Sequence, residues 1–410
     1  MAFRFITIPL KKPAAPGANS DVDLKSSPSD LKTDLQTKRS SCISKLEDMR
    51  VAFEKGGKYM DNRWRTAEGR EGLINDVVGA VSLYTTELAA ALYKYPVFAY
   101  GYFYCWNSPL VNEDRVFFDD FRYDLQCMYF NIAAILMNIS EYLLCSQEAI
   151  GNASVIEKEC YHFLLQAAGY FMLVKDIADD MKSYFVGTTK LAPPEDLTPV
   201  FLDFFHLIAL AQAQEIGTTK AVENEVKGGK VLVAKLSHQV FKLYDEARIS
   251  AEKKIKSCAK GYIDVLTLVR IKADVFRALT YCHTASSVFD SDPSEGLWFV
   301  SQSDVLAKIV LNHRDQARTK KKKIPFRGDD LIQCCYDIVR RNSERCTKIN
   351  SLVYRAKAAN GPLSLPPPAV LAQKRDLRLP AVFPHQVVGN APIPDVEVQD
   401  SEAPAAENTP

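Results

Sequence analysis

Leu73, Val77, Val81, Tyr84, Leu88 and Leu92 follow one another at intervals of four, four, three, four and four residues. That spacing puts all six on one face of a helix, and the run stops near Pro96, which cannot continue it. Before it, residues 1–10 alternate roughly, with Phe3, Phe5, Ile6 and Ile8, and predict a short strand. Residues 11–30 are polar and carry Pro13, Pro16 and Gly17, so they predict a loop. A helix over 30–57 ends at Gly56-Gly57. The aromatic, β-prone stretch 97–106 predicts a second strand, and with the first it suggests a small sheet at one end. From Asp119 onward the pattern predicts long helices at 119–146, 153–184, 197–226, 230–256, 259–287, 297–318 and 328–347. The helix at 197–226 is apolar nearly all round, through Phe201, Leu202, Phe204, Phe205, Leu207, Ile208 and Leu210, and should therefore be central and buried.

After Gly361 the pattern is lost. Pro366-Pro367-Pro368 opens a proline-rich stretch that should be extended. Residues 386–410 are rich in Pro, Ala and acidic groups and are expected to be a disordered tail.

Composition narrows the function. Lys and Arg number 51 against 50 Asp and Glu, a net charge of +1, which argues against nucleic acid as a partner. Ten cysteines are scattered through apolar segments, the habit of reduced core thiols in the cytosol. No signal peptide or membrane span is expected. There is no phosphate-binding loop, no dinucleotide fingerprint and no pair of CxxC motifs, so no cofactor, metal or small-molecule substrate is implied. Cys160 with His162 and Cys282 with His283 have the wrong spacing to share a helix face. The favoured reading makes them core thiols and surface rings, and a dyad assembled in space is left open. One charge run stands out: Lys320, Lys321, Lys322 and Lys323, between Arg318 and Arg327. It reads first as a solvated loop, second as a patch for acidic lipid or an acidic partner, and third as a nuclear-localisation signal.

Several stretches, in order, resemble the Bro domain family, the module shared by Alix, Brox and the rhophilins. They are Ile8-Pro9-Leu10-Lys11-Lys12, Phe103-Tyr104-Cys105-Trp106, Phe130-Asn131-Ile132-Ala133-Ala134 and Ala167-Ala168-Gly169-Tyr170-Phe171 with Lys175 beyond. The most specific is Leu210-Ala211-Gln212-Ala213-Gln214-Glu215, followed by Lys220-Ala221 and Ala234-Lys235-Leu236. The resemblance implies an all-α, curved domain over 1–385 with a tetratricopeptide-like helical core and a small N-terminal β-sheet. It implies too that Leu363, Leu365, Leu371, Leu377, Leu379, Val382 and Phe383 pack back along the body. It also implies a non-catalytic adaptor that binds the amphipathic C-terminal helix of an ESCRT-III subunit, in the cytoplasm with recruitment to endosomal membranes.

Carried onto this chain, the partner-helix groove falls at Leu232 and Leu236, with Lys158 as a basic edge and Ile216 as a neighbour. Gly217 stands where an apolar aromatic lines the groove in Alix, and Ser154 where Alix has an acidic residue. A shallower groove or a different partner is the expectation. The length is closest to Brox, but no Cys lies near the C-terminus, so a Brox-like prenyl anchor is not expected. Contact with anionic membrane would then be peripheral. An alternative within the family is a signalling scaffold, as in fungal pH-response assemblies. A cryptic enzyme would need a polar pocket with convergent titratable groups.

Overall fold

Apolar periodicity becomes packing in nine α-helices among the described residues of the computed structural model, which are 6–18, 29–54, 62–95, 102–110, 113–118, 120–145, 152–185, 194–223, 229–254, 260–319 and 328–379. The helices are α1 (Ser29–Glu54), α2 (Ala67–Lys94), α3 (Phe121–Cys145), α4 (Ala153–Phe185), α5 (Pro199–Glu223), α6 (Gly229–Lys254), α7 (Lys260–Val288), α8 (Pro293–Thr319) and α9 (Gly328–Ile349). Each of α3 to α8 packs on its successor, while α1 and α2 pack on each other and on α3. Neighbours in sequence are thus neighbours in space, as in helical solenoids.

Local chemistry sets the helix ends. Thr66 caps α2, its hydroxyl accepting from the Gly69 amide at 3.1 Å. Asp292 caps α8 by accepting from the Ser294 and Glu295 amides at 2.9 and 3.0 Å. Pro199 and Pro293 each open a helix, where a missing N–H costs nothing. The helix boundaries predicted by periodicity match closely.

α3 is apolar and long enough to cross a membrane, yet it is enclosed by the rest of the fold. Every residue from Phe121 to Ser140 is buried. Asp124, the buried acid of its first turn, accepts from Arg39 (2.6 and 2.8 Å), from the Trp106 indole (2.7 Å) and from the Tyr84 hydroxyl (3.3 Å). One buried carboxylate therefore ties α1, α2 and the sheet to α3.

That sheet has three antiparallel strands in order: β1 (Pro13–Ala18), β2 (Tyr102–Ser108) and β3 (Glu113–Phe118). Pro13 faces Trp106, and Cys105 faces Phe117. Two expectations from the sequence need correction. The first strand lies at Pro13–Ala18, within the stretch predicted as loop; of the predicted strand, residues 1–5 lie outside the described residues and 6–10 are in no strand. Their alternation is real, because Ile6, Ile8 and Leu10 are buried. The partners, however, are helix side chains. Asn138 both accepts from the Ile8 amide and donates to its carbonyl, each at 3.0 Å. Asn131 does the same for Lys11, at 2.7 and 3.0 Å, and Gln212 accepts from the Ile6 amide. β3, short and polar at its start, carries no alternation to predict it. Of the stretch 97–106, residues 97–101 lie outside the described residues.

Lys11 is buried and reaches Asp196 at 2.5 Å and the Ser108 hydroxyl at 3.0 Å. At the other end, α9 runs into a π-helical turn (Asn350–Tyr354). Beyond it the chain is extended to residue 379. Leu363 and Leu365 pack on the cluster around Phe289 and Phe299, and Leu377 and Leu379 on the main core. Val382, Phe383 and the expected tail 386–410 lie outside the described residues.

Candidate functional site

The motif Leu210-Ala211-Gln212-Ala213-Gln214-Glu215 sits in the middle of α5, where an uninterrupted apolar surface would have sufficed for packing. Its three polar residues are fully buried and each serves a different element. Gln212 binds the N-terminal segment at Ile6. Gln214 binds the C-terminal segment: its amide donates to the Ala369 carbonyl, and its carbonyl oxygen accepts from the Leu371 and Ala372 amides, all at 2.9 Å. Glu215 accepts from Lys272 of α7 at 2.6 Å and from the Tyr244 hydroxyl of α6. Ala211 and Ala213, interleaved with them, are buried as well.

Glu215 and Lys272 are both sealed from solvent. Burial pushes the Glu215 carboxyl up and the Lys272 amine down, and their pairing opposes both shifts. The enclosure makes this a structural ion pair, because no substrate reaches it. Cys160 and Cys282 are equally withdrawn, whereas Cys145 is exposed. Cys282 is buried and its thiol is pushed up to about 12, and burial also raises Cys160. His283 departs from the surface position expected of it: it is half-buried, and desolvation pushes its imidazole down to about 4. Among the described residues no cluster of three His, Cys, Asp or Glu could hold a metal, and the nine described cysteines are free thiols.

The face formed by α4, α5 and α6 is different. Leu232 is 49% exposed on α6 with Val231 beside it, while Leu236, one turn on, is 5% exposed. The two leucines expected to act together are therefore separated. Leu236 is buried at the level where the C-terminal segment crosses α6: the Ala369 amide donates to the Lys235 carbonyl at 3.0 Å, and the His238 ring bonds the Pro366 carbonyl at 2.7 Å. Ile216 is buried, and Gly217 is half-buried. Lys158 is exposed on α4 and makes no ion pair among the described residues. Nearby in sequence, Ser154 (2.9 Å) and Glu157 (2.7 Å) accept from Lys220 of α5, which joins the start of α4 to the end of α5. Lys320, Lys321, Lys322 and Lys323 lie outside the described residues.

The space at Gly217 is occupied. A Cβ there would overlap Leu371 Cδ2, well inside van der Waals contact, with Leu371 Cγ at 3.5 Å. The same leucine's carbonyl accepts from the Tyr161 hydroxyl of α4 at 3.0 Å. Leu371 thus bridges α4 and α5. It packs back as expected, but its side chain stays 47% exposed, with Val370 at 56%. Nothing in the local pattern of 366–372 distinguishes this leucine from its neighbours.

A family model described as the BRO1-like domain matches residues 25–377. The chain is 29% identical over 153 residues to the pH-response regulator protein palA/RIM20 of Emericella nidulans, which covers 37% of this chain and 15% of that protein. It is 23% identical over 251 residues to the vacuolar protein-sorting protein bro-1 of Neurospora crassa, covering 58% of this chain and 23% of that one. The chain thus spans under a quarter of the length of either relative. A solved structure described as an ALIX BRO1 CHMP4C complex superimposes with a TM-score of 0.62 at 19% identity, covering 93% of this chain and 97% of that chain. At that identity the likeness speaks for the helical fold. The chain belongs to the BRO1-like domain family.

Proposed function

From that membership, we propose that this chain is a non-catalytic adaptor in endosomal sorting, cytoplasmic and recruited to endosomal membranes. In this reading it captures the amphipathic C-terminal helix of an ESCRT-III subunit on the face made by α4, α5 and α6. The observation that carries it is Leu232: a large apolar side chain left half exposed, beside Val231, on a helix that buries Val233, Leu236, Val240 and Leu243. A docked amphipathic helix needs apolar anchors left in solvent and a charged rim, and Lys158 supplies a cation free to meet an acidic partner. The vacuolar-sorting name of the Neurospora relative and the CHMP4C complex of the structural neighbour support the choice of partner.

Burying Leu232 fully would contribute ~1.5–3 kcal/mol. The test is calorimetric titration of the full chain with a peptide of the CHMP4C C-terminal helix. Leu232→Asp should abolish binding and leave the helical circular dichroism unchanged; unaltered affinity would remove the site. The similarity to palA/RIM20 favours a second reading, a scaffold in pH-response signalling. Proximity labelling separates the two: ESCRT neighbours support the first, a receptor and a cysteine protease the second.

A further inference from the structure

Residues 363–379 form an extended segment whose backbone is pinned at every level it crosses. His238 holds the Pro366 carbonyl, the Lys235 carbonyl and Gln214 hold Ala369, and Gln214 and Tyr161 hold Leu371. The Arg375 amide donates to the Leu165 carbonyl at 3.1 Å. Gln214 itself is fully buried and spends three bonds on this one segment. Ala372 is only 4% exposed, while Val370 and Leu371 beside it stay half in solvent. An extended segment fixed this firmly has no freedom to turn those two side chains inward.

Gly217 adds a second observation. A glycine inside a helix costs about 1 kcal/mol relative to alanine, so its place in α5 calls for a packing reason. The reason is Leu371, which fills the volume that a side chain at 217 would take. The helix has given up its own apolar group, and the C-terminal segment delivers one to the same spot, half exposed and held between Tyr161 and Gly217.

We infer that Leu371 is a specificity-determining contact of the partner-helix site, supplying from the C-terminal segment the apolar surface that α5 lacks at Gly217. The inference rests on the groove reading above. It adds that an amphipathic helix is gripped between Leu232 on α6 and Leu371 over α5, and that recognition requires residues 366–375 to be docked. The occupant's apolar stripe must therefore complement a branched aliphatic tip whose position is set by backbone bonds.

The experiment uses the full chain and the CHMP4C helix peptide. Leu371→Ala should weaken binding about tenfold, a loss of ~1.4 kcal/mol, with no change in circular dichroism. Gly217→Leu should also weaken it, because the new side chain collides with Leu371. Amide exchange at Leu371 and Ala372 should then accelerate. The double variant Gly217→Leu with Leu371→Ala, which moves the leucine from segment to helix, should recover affinity to within about threefold of the unaltered chain. If Leu371→Ala binds at full strength while Leu232→Asp abolishes binding, the groove stands and Leu371 has no part in it. If Leu232→Asp also has no effect, the groove reading falls and the inference with it.

Discussion

Two extended segments, 6–12 and 363–379, flank the same helix, and a glutamine of that helix holds each; Asn131 and Asn138 add to the first, His238 and Tyr161 to the second. They differ in depth. In the first, Ile6, Ile8, Leu10 and Lys11 are all buried, and the Lys11–Asp196 pair has no solvent access at all. In the second, only Ala372 is fully buried and two large apolar groups remain outside. α5 serves both, with Gln212 for one and Gln214 for the other. Two residues along a helix is a rotation of about 200°, so the glutamines point to nearly opposite sides. The same chemical device thus makes scaffold where it is enclosed and, in the reading proposed above, a recognition surface where it is not.

The comparison is broken most strongly at its buried end. Asp196→Ala leaves the Lys11 ammonium buried with only Ser108 and Asn107 as oxygen partners, and removing one member of a buried pair costs about 3–5 kcal/mol. Urea denaturation should show that loss, and at a growth temperature of about 37 °C so large a deficit should lower accumulation of the variant. Gln214→Ala should cost less, about 1–3 kcal/mol, because no charge is stranded and the freed groups of Ala369 and Leu371 are only partly buried. Hydrogen exchange should show Leu371 and Ala372 losing protection while α5 and α6 keep theirs. If the groove requires a docked segment, peptide affinity should fall in the same variant.

The smallest expected effect is a pH dependence at His206, on α5 facing α4. Burial pushes its pKa below the usual value near 6.5, against the Ala168 carbonyl and Asp203. The unfolded chain takes up the proton first as pH falls, so the contribution to stability is present at neutral pH and is lost below about 6.5. Tm should drift down as pH falls from about 7 to about 5; His283, also depressed by burial, contributes in the same direction, so His206→Gln should lessen the drift without abolishing it.

Much of this architecture is legible in the amino-acid pattern. The intervals from Leu73 to Leu92 define α2, and the all-round apolarity of 197–226 marks α5 as central, as its burial bears out. Alternation at Ile6 and Ile8 correctly signals one-sided burial and wrongly suggests a strand, because alternation reports that one side is covered and not by what. At Leu232 and Leu236 a four-residue spacing puts both on one flank. Only the tertiary packing around α6 decides that Leu232 stays open and Leu236 closes.

The division between the two sources is physical. Helix positions follow from apolar spacing over three or four residues, so the sequence alone determined nine helices and their order. What binds the polar residues inside those helices depends on partners 120, 130 and 206 residues away for Asn131, Asn138 and Gln212. Gly217 carries the same lesson: in sequence it is a missing side chain, and in the fold it is the seat of Leu371. No local pattern encodes which distant segment will arrive, so the floor of the candidate groove was decided by tertiary structure alone.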